Sequence, residues 1–172
     1  MKEKILIISG EPTSINPEII CKSWNKIKKN LKKKIYLISN YHLLNKQFKI
    51  LNCKIKLKKV KSIYENHNDN SLKILNFDFN FKNLSSLKNS NISKFIKKSL
   101  NLAHNLGLKN NVLGIINCPI NKLHLSRKYN GATEFFARKC SVKNNSEAML
   151  IYSNKLSVCP ITTHINIKNV SR

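Results

Sequence analysis

His164 stands where a metal ligand is expected. It follows the apolar run LSVCPITT (156–163), which has the composition of a strand buried on both faces. A neutral imidazole at the end of such a strand can bind a metal, with its other ring nitrogen held by a hydrogen bond. A metal usually takes three or more protein ligands. His164 is therefore interpreted either as one member of a site completed elsewhere or as a structural histidine.

A threonine and a glutamate open another predicted helix. Thr133 and Glu134 follow the flexible pair Asn130-Gly131 and begin the segment TEFFARK. The Thr133 hydroxyl can cap this helix, which is the simpler interpretation. The backbone N–H groups at the same helix start can also bind an anion. The segment indicates either a plain cap or a contact with a negatively charged ligand.

Two further polar residues follow predicted strands. Glu11 lies in the loop GEPTSINP after the first strand, and Lys122 ends the loop CPINK. Glu11 either positions a polar ligand or forms a turn, and Lys122 is suited to contact a phosphate. The remaining histidines lie on predicted helices or in the loosest part of the chain and are interpreted as structural: His42, His67, His104 and His124.

Apolar strands alternate with amphipathic helices along the chain. The predicted strands are 4–9, 34–39, 54–60, 111–117, 147–153 and 156–163, and lysines protect 54–60 as an edge strand. Asn16 is predicted to cap a first helix whose apolar stripe runs to Leu31. Further helices are capped by Asn40 and Asn91, and the second of these ends at Gly107. The alternation predicts an α/β fold with a mainly parallel sheet flanked by helices.

The chain is predicted to form one domain. Residues 1–172 are interpreted as a single α/β region, with a loosely ordered segment at about 61–90 that is rich in Asn, Ser and Lys. Within that segment, LKILNF (72–77) is a possible strand. Ligands of parallel sheets bind beyond the carboxyl ends of the strands. We therefore expect Gly10–Pro17, Cys118–Lys122 and His164 to lie at one edge of the sheet.

The formal charge of +24 is carried almost entirely by lysine. Arginine occurs only three times, so 29 of the 32 basic residues are lysine, and they are spread through most of the chain. A nucleic-acid groove would concentrate arginine and aromatic residues. The abundance of Lys, Asn and Ile is typical of AT-rich coding sequence. A basic nucleic-acid-binding protein remains the rival class, and loose attraction to polyanions is expected in either case.

We expect any binding to DNA or RNA to be nonspecific and to collapse as salt is raised, because diffuse lysine charge carries it. Fluorescence anisotropy with unrelated duplexes at increasing salt measures this directly. Sequence-selective binding that survives about 200 mM salt would instead favour the nucleic-acid class.

The cysteines and the lengths of the apolar runs indicate where in the cell the protein is found. The five cysteines include no CxxC pair and are interpreted as reduced, mostly buried thiols. The run KILIIS (4–9) is too short for a signal peptide, and no apolar stretch approaches the length of a membrane span. We therefore expect a cytoplasmic protein that does not associate with membranes.

Four motifs occur in an order that resembles one enzyme family. They are GEPTSINPEII, GIINCPINK, NGATEFFA and VCPITTHINIKNV, and together they extend over nearly all of the chain. This set resembles 4-hydroxythreonine-4-phosphate dehydrogenase of pyridoxal phosphate biosynthesis, over about the first half of that family's length. The resemblance implies the N-terminal part of a two-subdomain fold like that of isocitrate and isopropylmalate dehydrogenases, truncated relative to the family.

The resemblance implies an oxidation followed by a decarboxylation. The family oxidises 4-phosphooxy-L-threonine with NAD to a β-keto acid, which loses carbon dioxide to give 3-amino-2-oxopropyl phosphate. A divalent metal ion (Zn, Mg or Co) acidifies the substrate hydroxyl and stabilises the enolate, and the nicotinamide accepts the hydride. The resemblance also implies a homodimer with a metal site shared between subunits, a small phosphorylated substrate and no specific nucleic acid.

The resemblance assigns roles to individual positions. His164 matches the metal-binding histidine of the family's TTH motif, and Thr133 matches the substrate-binding threonine of its GHTEF motif. Ala132 stands where the family usually has a histidine that contacts substrate. Glycines usual in the family are replaced at three positions: Ser14, Asn16 and Cys118. The catalytic residues, the other metal ligands and the main NAD contacts are expected in the half of the family that this chain does not match.

Three functions follow from these observations. The leading one is a truncated or fragmentary member of the dehydrogenase family, dependent on metal and NAD when whole. The second is an inactive remnant of that enzyme, with which Ala132 and the replaced glycines are consistent. The third is the basic nucleic-acid-binding protein.

Overall fold

The computed structural model divides into two compact units, Met1–Glu134 and Phe135–Arg172. It describes residues 4–65, 69–109, 111–125, 129, 131–141, 147–161 and 166–169. The sequence-based prediction for His164 therefore lies outside the described residues. None of the described helices combines the length and the apolar character needed to cross a membrane.

A parallel sheet forms the centre of the first unit. Its described strands are β1 (Lys4–Ile8), β2 (Ile35–Ser39), β3 (Leu57–Val60), β4 (Leu72–Asn76) and β5 (Val112–Asn117). They are arranged in the order β3-β4-β2-β1-β5, and each neighbouring pair is parallel. All residues of β2 are buried, as expected for a central strand covered on both faces. The predicted α/β fold with a mainly parallel sheet is confirmed.

Helices cover both faces of this sheet. They are α1 (Asn16–Lys26), α2 (Lys29–Lys32), α3 (Tyr41–Ile50) and α4 (Asn89–Gly107), and α5 (Ala132–Lys139) follows later in the chain. Trp24 of α1 and Phe48 of α3 pack with β2 and β4 in one apolar cluster. Helix α4 contacts β1, β2 and β5, and none of its residues belongs to that cluster. The sheet is therefore enclosed between α1 and α3 on one side and α4 on the other.

The described residues of the second unit contain an antiparallel hairpin. Its strands are β6 (Ile151–Tyr152) and β7 (Ser157–Val158). The predicted turn between them is present, and Ser153 N donates to Leu156 O across it at 2.9 Å. The prediction that 156–163 is a strand buried on both faces is wrong for its described residues, since β7 has two residues, both exposed, and Ile161 is fully exposed. Near the end of the chain, Asn166 Oδ1 accepts from Lys168 N at 3.1 Å. Asn166 thereby caps the short 3-10 helix Ile167–Asn169.

Two predicted helices have different bounds. Helix α1 ends at Lys26, and Ile27 is extended (φ −73°, ψ 134°) before α2 begins. Leu31, the predicted fourth member of the apolar stripe, is 43% exposed, so its burial does little to favour a continuous helix. Helix α4 begins at Asn89 rather than after a cap at Asn91.

The two edges of the sheet differ in charge and burial. The edge strand β3 has the sequence LKKV and carries Lys58 and Lys59, as predicted. The opposite edge strand, β5, has the sequence VLGIIN without a charged residue. Its apolar composition is typical of a buried strand, but of its six residues only Val112 is buried. Leu113 is 63% exposed and Ile116 is 53% exposed, and no described strand pairs with the outer edge of β5.

Strand β4 lies within the segment predicted to be loosely ordered. The possible strand at 72–77 is present as Leu72–Asn76, next to β2, and its first four residues are buried. Asn76 Oδ1 accepts from Tyr41 N at 2.8 Å, at the start of α3. Asn40 caps this helix as predicted, since its Oδ1 accepts from Leu43 N at 3.0 Å. The carboxyl ends of β2 and β4 are thus fixed to the same helix start.

Two of the cysteines form a disulfide. Cys21 of α1 is joined to Cys53, which follows α3. The expectation that all five cysteines are reduced is therefore wrong for this pair. Cys118 is a buried thiol, and Cys140 and Cys159 are exposed thiols.

Lys73 is a fully buried charged residue on β4. Its Nζ donates to Lys32 O at 3.0 Å and to Lys33 O at 2.6 Å, both at the C-terminal end of α2. Nζ also lies 4.9 Å from the centre of the Tyr36 ring. Burial, and secondarily the charge of Lys4, lowers the pKa of Lys73 to about 8. The ammonium therefore replaces water as the partner of carbonyls at a helix end, where the dipole favours a cation.

We expect the free energy of unfolding to rise between about pH 8 and about pH 10.5 because of Lys73. In this range the unfolded chain holds a proton that native Lys73 has lost, so raising the pH disfavours unfolding. The full effect is about 3 kcal/mol. Urea denaturation at several pH values should show the rise in Lys59→Met, whose lysine is exposed, and not in Lys73→Met. The same rise in both variants would show that Lys73 is not its source.

Candidate functional site

Two loops meet at the carboxyl edge of the sheet. The first follows β1 and the second follows β5, and these two strands are neighbours. Glu11 N donates to Pro119 O at 3.3 Å. The Asn16 side chain donates through Nδ2 to the same oxygen at 2.8 Å. The expected proximity of Gly10–Pro17 and Cys118–Lys122 is therefore present.

Gly10 and Asn16 make this close approach possible. Gly10 has a φ of +72°, and a Cβ there would collide with the Asn16 amide and the carbonyl oxygen of Pro119. Both the backbone conformation and the available space therefore require glycine. Asn16 is fully buried and is the first residue of α1, not its N-cap. The predicted cap is wrong because this amide instead links the loops, and its Oδ1 has no hydrogen-bond partner among the described residues.

A carboxylate and an imidazole face each other where the loops meet. Glu11 Oε1 lies 3.3 Å from His124 Nε2 and accepts from Thr13 Oγ1 at 3.2 Å. Glu11 Oε2 accepts from Asn121 N at 3.3 Å. The Glu11 and His124 side chains are only 17% and 10% exposed, so water competes weakly for the pair. The contact between these two side chains therefore joins the first loop to the segment that follows β5.

His124, which its sequence position indicates to be structural, lies beside Glu11 in the structure. It ends the 3-10 helix Lys122–His124 and is buried. No local pattern reveals its partner, because Glu11 belongs to the first loop of the chain. The available signal was topological: each residue closely follows an apolar strand of a predicted parallel sheet, and strand ends meet at one edge.

The second loop offers an ammonium group rather than a reactive thiol. Lys122 is exposed and follows Asn121, whose Oδ1 accepts from Leu123 N at 3.0 Å and caps the turn. Cys118 is buried, and this burial raises the pKa of its thiol to about 11. A thiol with such a pKa is uncharged and unreactive at neutral pH. Lys122 is therefore the group of this loop that suits an anionic ligand.

Thr133 and Ala132 lie in the first turn of α5. The helix begins at Ala132, so Thr133 lies inside it and the simpler prediction of an N-cap is wrong. Thr133 is exposed and Ala132 is partly buried. The N–H groups of a first turn lack intrahelical partners and attract anions. The carboxylate of Glu134 lies in the same turn and would compete with an anionic ligand for these groups.

A groove of about 580 Å³ lies beside the first loop. Its walls come from that loop, from α1 and α3, and from a later segment: Pro12, Thr13, Ser14, Ile15, Pro17, Glu18, Gln47, Ile50, Leu51, Leu84, Ser85 and Leu87. Gln47 Nε2 donates to Pro12 O at 2.5 Å and fixes the loop to α3. No basic residue is among these described lining residues. The groove therefore lacks the cation that usually binds a phosphate.

The described residues do not fit the implied metal. In the part of the chain that the structure describes, no group of three or more His, Cys, Asp or Glu side chains could hold a metal ion. The Glu11–His124 pair supplies two such groups at most, and tetrahedral sites usually take three or four. The implied ligand His164 lies outside the described residues.

Comparison with known proteins establishes the family. The family model described as "Pyridoxal phosphate biosynthetic protein PdxA" matches residues 30–172. The chain belongs to this family. The resemblance inferred from the four motifs is confirmed at this level.

Two PdxA relatives are similar along almost the whole chain. The 4-hydroxythreonine-4-phosphate dehydrogenase of Aquifex aeolicus (strain VF5) is 32% identical over 176 residues, which cover 99% of this chain and 52% of the relative. That of Sulfurihydrogenibium sp. (strain YO3AOP1) is 30% identical over 171 residues, which cover 97% and 51%. The chain thus spans about half the length of the curated relatives it matches.

Solved structures of the same enzyme share the fold. The 4-hydroxythreonine-4-phosphate dehydrogenase from Klebsiella pneumoniae matches with a TM-score of 0.80 and 23% identity, over 96% of this chain and 52% of that one. The enzyme from Burkholderia phymatum matches with a TM-score of 0.81 and 20% identity, over 98% and 52%. The α/β architecture of this chain is therefore that of about half of each PdxA structure.

Proposed function

We propose that this chain forms part of a dehydrogenase that oxidises 4-phosphooxy-L-threonine with NAD in pyridoxal phosphate biosynthesis. The observation that carries the proposal is the 32% identity to a relative of that name across 99% of the chain. The meeting of the two loops, with Asn16 and Pro119 in direct contact, supports it. The test is NADH formation when the chain is combined with the half of the relative that it does not match.

We assign the site residues as follows. Thr133 contacts the substrate, and Ala132 occupies the place of a substrate-binding histidine. Lys122 contacts the phosphate, and the Glu11–His124 pair holds the loop that carries Lys122 against the first loop. His164 is one ligand of a divalent metal (Zn, Mg or Co) whose other ligands lie outside the matched half.

The assembly and location are part of the same proposal. The active form is a homodimer that shares its metal site between subunits, acts on a small phosphorylated hydroxy-amino acid and works in the cytoplasm. Disulfides are rare in a reducing cytoplasm, so the Cys21–Cys53 pair is expected to be in thiol form there during function.

An inactive remnant is the second candidate, and Ala132 is the observation that favours it. A methyl group cannot replace the hydrogen bonds of an imidazole. Asn16, which stands where the family usually has a glycine, does not favour an inactive remnant. Its side chain joins the two loops through hydrogen bonds to Pro119 O and Glu11 O.

We expect His164 to bind metal weakly in the chain alone. A single histidine supplies one ligand, and affinity increases as the ligand set is completed. Calorimetric titration with Zn²⁺ or Co²⁺ should give an affinity at least roughly tenfold below that of the full-length Aquifex aeolicus relative. His164→Ala should lose the remaining site, whereas His42→Ala, at an exposed position, should not. Affinity equal to that of the relative would place the whole ligand set in this chain.

A further inference from the structure

The Cys21–Cys53 disulfide closes a circuit that includes the first loop. Cys21 lies on α1, whose first residue, Asn16, directly follows that loop. Cys53 follows the end of α3. On α3, the buried Gln47 donates through Nε2 to Pro12 O of the first loop at 2.5 Å. The disulfide and this hydrogen bond therefore join α1, the first loop and α3 in one closed path.

The same two helices form walls of the groove beside the first loop. Glu18 of α1 lines the groove, and Cys21 is about one helical turn further along the helix. Ile50 and Leu51 line it at the end of α3, and Cys53 is two positions after Leu51. The bond therefore restricts how far these two walls can move apart.

This pair of cysteines has both a bonding partner and access to solvent. Cys21 and Cys53 are each partly exposed. Cys118 is a buried thiol, and Cys140 and Cys159 are exposed thiols, and none of these three is in a disulfide. Exposed disulfides are more often labile or regulatory than buried ones, because a small thiol can reach and attack the sulfur.

We propose that Cys21 and Cys53 form a reversible redox switch that sets how firmly the first loop and the groove are held. The inference rests on the cytoplasmic location given under the proposed function, because disulfides in that compartment are usually transient and either catalytic or redox-sensing. The dehydrogenation proposed above uses no thiol, so a sensing role fits better. In the oxidised form the circuit is closed. In the reduced form packing alone holds α1 against the end of α3, and the first loop opens more often.

Glutathione disulfide is the oxidant that this switch requires. The thiolate of one cysteine attacks a sulfur of glutathione disulfide, which breaks that S–S bond and releases one glutathione. The thiolate of the other cysteine then attacks the mixed disulfide, forms the Cys21–Cys53 bond and releases the second glutathione. Two electrons and two protons pass from the cysteines to the two glutathione molecules. Excess glutathione reverses both steps.

Titration against glutathione tests whether the pair responds to a cellular oxidant. In buffers whose ratio of glutathione to glutathione disulfide rises from roughly 1 to roughly 100, the pair should change from mostly oxidised to mostly reduced. Alkylation of free thiols followed by mass spectrometry measures the fraction in each form. Cys140→Ala/Cys159→Ala, which removes the two exposed thiols, should give the same titration curve.

Hydrogen exchange, read residue by residue by NMR, tests whether the first loop follows the bond. Glu11 N donates to Pro119 O, and Ser14 N donates to Glu11 O. These two amides should exchange at least roughly tenfold faster in the reduced chain than in the oxidised chain. Gln47→Met keeps the disulfide but breaks the circuit, so this difference should disappear. Lys49→Met, at an exposed position of the same helix, should keep it.

The Gln47 variant separates a switch from a bond that only stabilises the fold. If reduction accelerates exchange merely by lowering global stability, Gln47→Met should show the same difference between the two forms as the wild type, and the inference is wrong. Equal exchange of Glu11 and Ser14 in both forms of the wild type would also contradict it. A pair that stays oxidised at the highest glutathione ratio, or reduced at the lowest, is not a switch.

The outcome is independent of the proposed catalytic function. None of these measurements uses substrate or NAD, so a chain that responds to glutathione but supports no NADH formation would contradict the function and leave the switch in place. NADH formation together with a glutathione-insensitive pair would support the function and contradict the switch.

Discussion

The chain combined with the unmatched half of the Aquifex aeolicus relative should form NADH from 4-phosphooxy-L-threonine, and the chain alone should form none above background. Hydride transfer requires nicotinamide, substrate hydroxyl and metal to be held within a few tenths of an ångström of the productive geometry. The described residues of this chain contain no group that could hold the metal. The expected difference is therefore between measurable turnover and none, and it is read directly from NADH absorbance.

Two substitutions in the assembled protein sharpen this experiment. Ala132→His should raise turnover roughly tenfold, since a hydrogen bond to a charged substrate group contributes about 1.5 kcal/mol or more. His164→Ala should abolish turnover, whereas His42→Ala, at an exposed position of α3, should leave it unchanged. NADH formation by the isolated chain would show that the site is complete without a second polypeptide. A folded assembly that stays inactive even with Ala132→His would favour the remnant.

Removing the disulfide should lower the free energy of unfolding by about 3 to 4 kcal/mol. Cys21 and Cys53 are 32 positions apart, and closing a loop of this length restricts the unfolded chain by about that amount in the chain-entropy model. The bond also ties α1 to the end of α3, two helices that pack on the same face of the sheet. The loss is a large fraction of the stability of a domain of this size.

Urea denaturation with and without dithiothreitol measures this contribution. Reduced wild type and Cys21→Ala/Cys53→Ala should share one lowered midpoint, and the reductant should not affect the double variant. Cys140→Ala, which removes an exposed thiol, should keep the wild-type midpoint and its response to reductant. If dithiothreitol leaves the wild-type midpoint unchanged, the disulfide is not a stabilising element in solution.

The sequence correctly predicted features that are determined by residues close together in the chain, such as the cap of α3. Asn40 was predicted to cap α3, and it does so through Leu43, three positions away. Asn16 has the same local signals but does not cap α1, because its amide binds Pro119 O, 103 positions away. Local propensity cannot show such a contact, and tertiary partners often override it.

The exposure of β5 and the contact between Glu11 and His124 depend on which parts of the fold lie beside each strand. The apolar run 111–117 was correctly predicted to be a strand, but its exposure depends on what covers it and not on its own residues. The Glu11–His124 pair likewise arises only because β1 and β5 are neighbours in the sheet. The predicted alternation of strands and helices allowed β1 and β5 to be neighbours without specifying it. The four motifs identified the family, which the physical patterns alone could not do.

The order of the strands in the sheet has a consequence for folding on the ribosome. Ile5 pairs with Ile35 on one side and with Gly114 on the other. At a synthesis rate of about 5 to 20 residues per second, β5 is completed roughly 5 to 20 s after β1. The nascent chain can pair β1 with β2 early, but one edge of this apolar strand stays unpaired until β5 emerges. During those seconds the emerging chain presents a β-strand edge to other nascent chains, and shielding by a ribosome-associated chaperone would then limit aggregation.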